Sequence, residues 1–258
     1  MNKRIKVAAV QMDCNPGNIE NNLEKIGSLI DKSAQKGVRL AVLPELSNIS
    51  YDLTQIRNLD YDFNASRGFV AGLAKKNSIW IAAGMLELED NKYYNSLFVF
   101  DDNGRLAAKY RKINLFPLGL ESSVFLKGDQ MQTFLLDDFR FGLMICFDLR
   151  FAGLALKYRE MDCHCFIYSS AFPFPRLDHF RILCQARAIE NQVYVISCNR
   201  TGTDGNLTFL GNSSVIDPWG TLLASTSEKS ETIVISELYL DEIYQVRKHL
   251  PMNSFNFL

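Results

Sequence analysis

The stretch NQVYVIS (residues 191–197) repeats the pattern of NSIWIAA (77–83), in which Asn and a second polar residue precede an apolar strand. Each stretch also follows a predicted helix and precedes a predicted hairpin that begins with Asn-Ser, at 95–96 and at 212–213. An apolar run of this length is typical of a strand that is covered on both faces. The second half of the chain therefore repeats the first, which predicts two similar strand–helix units.

Hydrophobic periodicity predicts the other elements of both units. The predicted strands are Lys3–Gln11, Val38–Leu43, Ile79–Leu86, Asn95–Phe100, Leu106–Tyr110, Phe139–Cys146, Cys163–Ser170 and Val193–Cys198. The predicted helices are Asn18–Lys36, Phe69–Lys76, Leu149–Arg159 and Leu177–Glu190, and the hairpin turns are Asp101–Gly104 and Asp217–Gly220. Two such units each leave an apolar sheet face, and the two faces can bury each other with the helices outside. We therefore expect an α/β fold, a two-sheet sandwich inside helical layers, with one doubly wound sheet as the alternative.

Composition and charge restrict the class of protein. The 258 residues include 28 Lys plus Arg and 29 Asp plus Glu, a formal charge of −1. This balance excludes a basic nucleic-acid footprint and favours a small-molecule ligand or a protein partner. No Pro/Ser/Gly-rich linker divides the chain, so a single domain over 1–258 is expected, ending in a short C-terminal arm from about residue 240.

The N-terminus and the cysteines indicate the compartment. MNKRIKVAAVQMD (1–13) lacks the apolar run of a secretory signal, and no apolar stretch is long enough to span a bilayer. The six cysteines, without an export signal, are read as reduced thiols. These features predict a cytoplasmic protein that does not enter the membrane.

Three reactive side chains stand at the ends of predicted strands. Glu45 follows Val42-Leu43-Pro44, Cys146 ends FRFGLMIC, and Lys112 closes AAKYRK. Strand ends in α/β folds form ligand crevices, and a thiol before a helix is expected to have a lowered pKa. Each residue also has a structural interpretation: Cys146 as a buried core thiol, Glu45 as a surface or capping carboxylate, and Lys112 as part of a solvent-exposed basic run. Together, a nucleophile, a carboxylate and a cation predict a thiol hydrolase that needs no histidine.

Five motifs carry a family resemblance. They are LPEL (43–46), YRKINLF (110–116), ICFDLRF (145–151), RAIENQVYV (187–195) and DPWG (217–220). With them the chain resembles, over essentially its whole length, the nitrilase superfamily of carbon–nitrogen hydrolases. The resemblance implies a four-layer αββα sandwich that pairs as a homodimer, and a cofactor-free amidase without a metal. It also implies a catalytic triad of Glu45, Lys112 and Cys146, with a second glutamate at Glu121.

Physical roles follow for an enzyme with this triad. Glu45 takes the thiol proton, and the Cys146 thiolate attacks the amide carbonyl. Lys112 and the backbone N–H of Phe147 stabilise the developing oxyanion. Because Glu45 must then protonate the leaving nitrogen, burial is expected to raise its pKa. Glu121 would orient Lys112 or the substrate amide.

The stretch 172–206 is most similar to the ω-amidase branch, which implies a substrate of the 2-oxoglutaramate type. A dicarboxylate monoamide carries a carboxylate at its far end, and a guanidinium would bind that group well. Arg176 is the candidate for this contact, with an ordinary surface arginine as the alternative. Hydrolysis of N-carbamoyl amines or amino acids, or a non-catalytic binding relative on the same scaffold, remain open. The family usually has Glu where this chain has Gly153, and that position leaves the substrate undetermined.

Other polar groups have structural interpretations. Cys163-His164-Cys165 lacks a second cluster at zinc-finger spacing and is expected to pack in the core. His179 is expected to be a packing or polar-contact residue, and Asp148 with Arg150 a helix cap and a structural ion pair.

Overall fold

The computed structural model describes residues 3–54, 56, 62–227 and 229–252. The strands are β1 Arg4–Gln11, β2 Leu40–Val42, β3 Trp80–Glu89, β4 Lys92–Phe100, β5 Leu106–Arg111, β6 Thr133–Leu136, β7 Phe139–Ile145, β8 Cys165–Ser170, β9 Tyr194–Asn199, β10 Thr203–Asp204, β11 Leu207–Thr208, β12 Ser214–Ile216, β13 Leu222–Ser225 and β14 Thr232–Tyr239. The helices are α1 Ile19–Gln35, α2 Phe63–Asn77, α3 Glu121–Val124, α4 Ala152–Glu160, α5 Leu177–Asn191 and α6 Leu240–His249, with a 3₁₀ helix at Cys146–Arg150.

Two six-stranded sheets have the same strand pattern. One has the order β14-β1-β2-β3-β4-β5, and the other the order β6-β7-β8-β9-β12-β13. In each sheet three successive strands run parallel, and an antiparallel hairpin continues the sheet on one side. The repeat predicted from the sequence is thus present in the strand order of both sheets.

The sheets pack face to face, with helices on their outer faces. In β1, Val7 and Ala9 belong to the core between the sheets, whereas Ala8 and Val10 belong to the core beneath α1 and α2. This division follows from the alternation of side chains along a strand. Helix α5 packs on β9 and β12 of the second sheet, and α4 packs on α5. The predicted four-layer sandwich is confirmed.

Several boundaries differ from the prediction. Helix α2 begins at Phe63 rather than Phe69, and β3 and β4 extend to a tight turn at Asp90 and Asn91, both with positive φ. Beyond Cys146 the chain first forms the 3₁₀ helix, so α4 starts at Ala152 rather than Leu149.

The predicted C-terminal arm begins as a packed helix. Leu240, Ile243 and Val246 of α6 are buried, while 253–258 lie outside the described residues. None of the helices in the described part of the chain has the length and apolar character needed to cross a bilayer.

Candidate active site

The three residues predicted from strand ends lie at one end of the sandwich. Glu45 follows β2 of the first sheet, Lys112 follows β5 of the same sheet, and Cys146 follows β7 of the second sheet. The side chains of Glu45 and Lys112 are fully buried, and Cys146 lines a cavity of about 280 Å³. Residues far apart in the sequence therefore meet because both sheets end at this point.

Lys112 is bonded to two buried carboxylates. Its Nζ donates to Glu45 Oε1 at 2.7 Å and to Glu121 Oε1 at 2.6 Å. Asn95 Nδ2 donates to Glu45 Oε1 at 2.7 Å, and the Ala171 N–H donates to Glu45 Oε2 at 2.8 Å. Glu121 Oε2 accepts the Phe116 N–H at 2.8 Å. Hydrogen bonds therefore fix both carboxylate oxygens of Glu45 and both of Glu121.

Burial and charge shift the pKa values of this group. Burial raises the pKa of Glu45, and the charge of Glu121 adds to the rise while Lys112 opposes it. This is the direction that an acid–base carboxylate needs. Burial disfavours the charged Lys112, but Glu121 and Glu45 outweigh it and hold the pKa of the ammonium above its ordinary value. Lys112 therefore remains a cation in a buried site.

Cys146 has an unusual backbone. Its φ of 41° lies in the left-handed region, where a residue other than glycine is strained by about 1–3 kcal/mol. The turn aims the thiol into the cavity, and Phe147, the next residue, has an N–H at the start of the 3₁₀ helix with no acceptor within that helix. This N–H is free to bond an oxygen placed beside Cys146.

The expectation of a lowered pKa for Cys146 is wrong. Burial raises the pKa of the thiol well above its ordinary value, and the charges of Glu45 and Glu121 raise it further. Lys112 and the Ala171 N–H act in the opposite direction but do not offset the burial. The short 3₁₀ helix replaces the long helix on which the dipole argument depended. The resting group is therefore a neutral thiol that needs a base.

The predicted Asp148–Arg150 ion pair is absent. Asp148 is the cap: its Oδ2 accepts the Ile145 N–H at 2.9 Å and the Tyr110 hydroxyl at 2.7 Å. Arg150 instead lines the cavity, where its Nη2 lies 3.3 Å from His179 Nδ1. His179 is thus a polar-contact residue, as predicted.

Arg176 lines the same cavity as Cys146. Its guanidinium stands 5.9 Å from the centre of the Phe116 ring, and that of Arg150 stands 5.3 Å from the Phe172 ring. Burial lowers the pKa of Arg150, and repulsion by Arg176 lowers it further. Among the described residues, no carboxylate forms an ion pair with either arginine. Asp52 and Asp204 also line the cavity, and Asp204 is paired with Arg200, so neither lining arginine has a carboxylate partner of its own among the described residues.

Sequence reasoning missed several neighbours of the site. The sequence indicates Asn95 only as the start of a hairpin, whereas its side chain donates to Glu45. Ala171 contributes a backbone N–H, and Tyr51 donates through its hydroxyl to Glu121 Oε1. Arg150 lay within a quoted motif but was assigned to a structural pair. A Cβ added at Gly153 would meet no atom within 4 Å, so the position where the family usually has Glu is open space in this protein.

The residues set aside as a zinc motif lie in the core. Cys163 and Cys165 are fully buried, and His164 Nδ1 accepts the Arg140 N–H at 3.0 Å.

Comparison with known proteins identifies the family. The family model described as carbon-nitrogen hydrolase matches residues 6–248. The chain belongs to the carbon–nitrogen hydrolase family. It is 35% identical over 248 residues to 2-oxoglutaramate amidase of Bacillus subtilis, covering 95% of each chain. It is 33% identical over 243 residues to omega-amidase NIT2 of Mus musculus, covering 90% of this chain and 88% of that protein.

Solved structures of carbon–nitrogen hydrolases have the same fold. Saccharomyces cerevisiae Nit3, a member of branch 10 of the nitrilase superfamily, matches with a TM-score of 0.89 at 30% identity, covering 98% of this chain and 97% of that chain. The carbon-nitrogen hydrolase of Helicobacter pylori G27 matches with a TM-score of 0.91 at 25% identity, covering 98% and 95%. The predicted family, fold and enzyme class of this carbon–nitrogen hydrolase are confirmed.

Proposed function

We propose that this carbon–nitrogen hydrolase removes ammonia from the terminal amide of a small linear substrate that carries a carboxylate at its other end. Substrates of the 2-oxoglutaramate type belong to this class. The observation that carries the proposal is that Cys146 shares one cavity of about 280 Å³ with Arg150 and Arg176, neither of which forms an ion pair with a described carboxylate. A small cavity that holds a nucleophile and two arginines able to bind a carboxylate suits a short amide with an acidic end.

The first half of the reaction forms a thioester. Glu45 takes the proton of the Cys146 thiol, and the sulfur attacks the amide carbonyl carbon. The ammonium of Lys112 and the Phe147 N–H stabilise the oxyanion of the tetrahedral intermediate. Protonated Glu45 then donates to the amide nitrogen, the C–N bond breaks and ammonia leaves.

The second half of the reaction regenerates the enzyme. Glu45, again a carboxylate, takes a proton from water, and the hydroxide attacks the thioester carbonyl. The C–S bond breaks, the proton returns to sulfur, and the carboxylic acid leaves. Glu121 fixes the ammonium of Lys112 through both steps, which its 2.6 Å contact with Nζ supports.

The arginines account for the acidic end of the substrate. Arg150 and Arg176 repel each other across an otherwise mostly apolar lining, and a bound carboxylate would relieve that repulsion. Arginine binds carboxylates in a planar geometry with two parallel hydrogen bonds. The names of the two relatives, 2-oxoglutaramate amidase and omega-amidase, agree with such a substrate.

The test compares an anionic amide with its neutral methyl ester. Arg176→Ala and Arg150→Ala are expected to lower kcat/KM on the anionic amide by about 10–100-fold, the worth of a charge-assisted hydrogen bond, with a small effect on the ester. Arg181→Ala is the control, because this arginine of α5 bonds Asn212 at another cavity. Equal losses on both amides would refute the carboxylate contact.

A wider panel separates the alternatives. N-carbamoyl amino acids hydrolysed in preference to ω-amides would support the carbamoyl alternative. No turnover of any amide, with Cys146 no more reactive than the other thiols, would support a non-catalytic relative.

We further propose that two copies pair through the outer face of α5. Ile182 and Ile189 are exposed on one stripe of this helix, and exposed Trp219 and Leu222 lie in the adjacent hairpin. Gly220 of that hairpin touches Ile189, so the apolar surface is continuous. Such a patch favours association with a protein surface. Ile189→Glu should sediment as a monomer, whereas the control Leu106→Glu, at an exposed leucine of β5, should sediment like the wild type. Sedimentation of the wild type as a monomer would refute the pairing.

The cysteines support a cytoplasmic location, which we also propose. All six are free thiols, as expected for a reducing compartment. Cell fractionation tests this, and recovery of the protein outside the cytoplasm would refute it.

A further inference from the structure

Arg200 is fully buried just beyond the end of β9, and its partner Asp204 lines the same cavity as Cys146. Its Nη1 bonds Asp204 Oδ2 at 2.6 Å, and its Nη2 bonds Asp204 Oδ1 and Asp13 Oδ1, each at 3.0 Å. A buried ion pair is often no more stabilising than apolar residues of the same volume. Such a pair can nevertheless fix the position of the groups that bond to it.

The partners of Arg200 hold Tyr51 in two ways. Asp204 Oδ2 accepts the Tyr51 backbone N–H at 2.8 Å and the Ser50 hydroxyl at 2.6 Å. The guanidinium of Arg200 stands 4.1 Å from the centre of the Phe209 ring, and that ring meets the Tyr51 ring edge-on with centroids 6.0 Å apart. Both the backbone and the ring of Tyr51 are therefore fixed from the same ion pair.

Tyr51 reaches the candidate active site through its hydroxyl. It donates to Glu121 Oε1, the oxygen that also accepts Lys112 Nζ. Lys112 in turn bonds Glu45. A continuous series of contacts thus runs from Arg200 to the acid–base carboxylate.

We propose that Tyr51 is a positioning residue, set in place by the Arg200–Asp204 pair and Phe209, which holds Glu121 where it fixes Lys112. The inference rests on the proposed amide hydrolysis and adds to it a group that acts through Glu121. Without the Tyr51 hydroxyl, Glu121 loses a hydrogen bond to the oxygen that accepts Lys112 Nζ, so the carboxylate is less well fixed and holds Lys112 less firmly.

Two variants and one matched control test this role. Tyr51→Phe removes only the hydroxyl, and Phe209→Leu disturbs the ring of Tyr51 while leaving the ion pair intact. Tyr194→Phe is the control, because Tyr194 also donates to a carboxylate, Glu242, but away from the cavity. Both variants leave Arg200 and Asp204 in place, because removal of one member of a buried ion pair is strongly destabilising.

The readouts are the pH profile of kcat/KM and the pH dependence of Cys146 alkylation by iodoacetamide. In Tyr51→Phe the acid limb of kcat/KM should move up by about one pH unit, because a less firmly held Lys112 opposes the raised pKa of Glu45 less well. About one unit is the size expected from the loss of one charge-assisted hydrogen bond. The midpoint of alkylation should also move up, because Lys112 supports the thiolate less well. Phe209→Leu should move the acid limb and the alkylation midpoint in the same direction. In the double variant Tyr51→Phe/Phe209→Leu, both quantities should move no further than in Tyr51→Phe alone. Tyr194→Phe should match the wild type in both.

The outcomes separate this inference from the proposed function. Wild-type turnover with unshifted profiles in Tyr51→Phe would overturn the positioning role alone. Additive shifts in the double variant would overturn the path through Phe209. If the wild type hydrolyses no amide, the amidase proposal fails, and the alkylation midpoint, which needs no substrate, still decides whether Tyr51 acts on the cluster.

Discussion

Gly84 of β3 lies directly beneath Glu45, and replacing it with Ala tests how closely the site depends on the sheet. A Cβ at this position would lie 2.4 Å from Ser169 Oγ, 2.5 Å from the Pro44 carbonyl oxygen and 2.7 Å from Glu45 Cα. Two of these three atoms belong to the backbone, so a side-chain rotation cannot relieve the contact. The Gly84 carbonyl also accepts the Ser47 N–H at 2.8 Å, which ties the same loop to β3.

The geometry gives the size of the effect. Ordinary contact for a Cβ begins at 3.4 Å, so Glu45 Cα must move by about 0.7 Å. A misplacement near 1 Å costs about 10²-fold in rate, and overpacking costs about 1–3 kcal/mol of stability. Gly84→Ala should therefore lower kcat by about 10²-fold and lower Tm by about 2–4 °C for each kcal/mol lost.

Ammonia release under saturating amide measures kcat, and calorimetry measures Tm. Gly72→Ala is the control, because this glycine lies within α2 and a Cβ there meets no atom within 4 Å. The control should keep its activity and gain about 0.5–1 kcal/mol from the better helix former. Wild-type kcat in Gly84→Ala would refute the claim that β3 sets the position of Glu45.

Other variants and reagents probe the charges and the thiol. Burial opposes ionisation of Glu87, but hydrogen bonds from Arg111 and Lys109 hold its pKa at about 2. Because the pKa of Glu87 in the folded protein lies below the unfolded value of 4.5, the stabilisation from its ionised form is present above pH 4.5 and disappears as the pH falls towards 2. Glu87→Gln should therefore lower the free energy of unfolding in urea by about 2–3 kcal/mol at pH 7 and flatten its dependence on acid pH. A free energy of unfolding with the same value and the same pH dependence as the wild type would contradict this. Lys112→Met leaves two buried carboxylates without a cation, so we expect no turnover and a loss of about 3–5 kcal/mol; an active, stable variant would contradict this. Iodoacetamide should label Cys146 first in peptide mass spectrometry, since Cys146 lines the cavity, whereas uniform labelling of all thiols would oppose its assignment.

The sequence predicts the sandwich because the sheet-forming residues are mostly apolar runs with clear boundaries. Among the segments it missed, β6 has only four residues, β14 is interrupted by Ser236 and Glu237, and α6 carries many charges. Strand β14 is partly buried along most of its length, which gives a weak hydrophobic signal. The antiparallel pairing of β14 with β1, which the local sequence does not show, is what identifies β14 as a strand.

The candidate site is predictable in part, for a related reason. Glu45, Lys112 and Cys146 are each predicted at the end of a strand, and the sheet order brings those strand ends together. The sign of the Cys146 pKa shift could not be predicted, because the local helix suggested one direction and the burial of the whole site imposes the other. Local sequence carries no information about that burial.

The cluster around Tyr51 and Arg200 is beyond sequence reasoning for another reason. Asp13 follows β1, Tyr51 lies between β2 and α2, and Asp204 ends β10, so the three are far apart in the sequence, and none carries a motif. Their meeting depends on the relative position of both sheets.

A covalent acyl group on Cys146 is the most direct test of the proposed chemistry. The wild type is mixed with an anionic ω-amide, quenched in acid within one turnover, and examined by intact and peptide mass spectrometry. We expect an added mass equal to the acyl group, located on Cys146, formed together with ammonia and absent in Cys146→Ala. Ammonia release at full rate by Cys146→Ala, or by the wild type with no acylated Cys146 at any quench time, would contradict it.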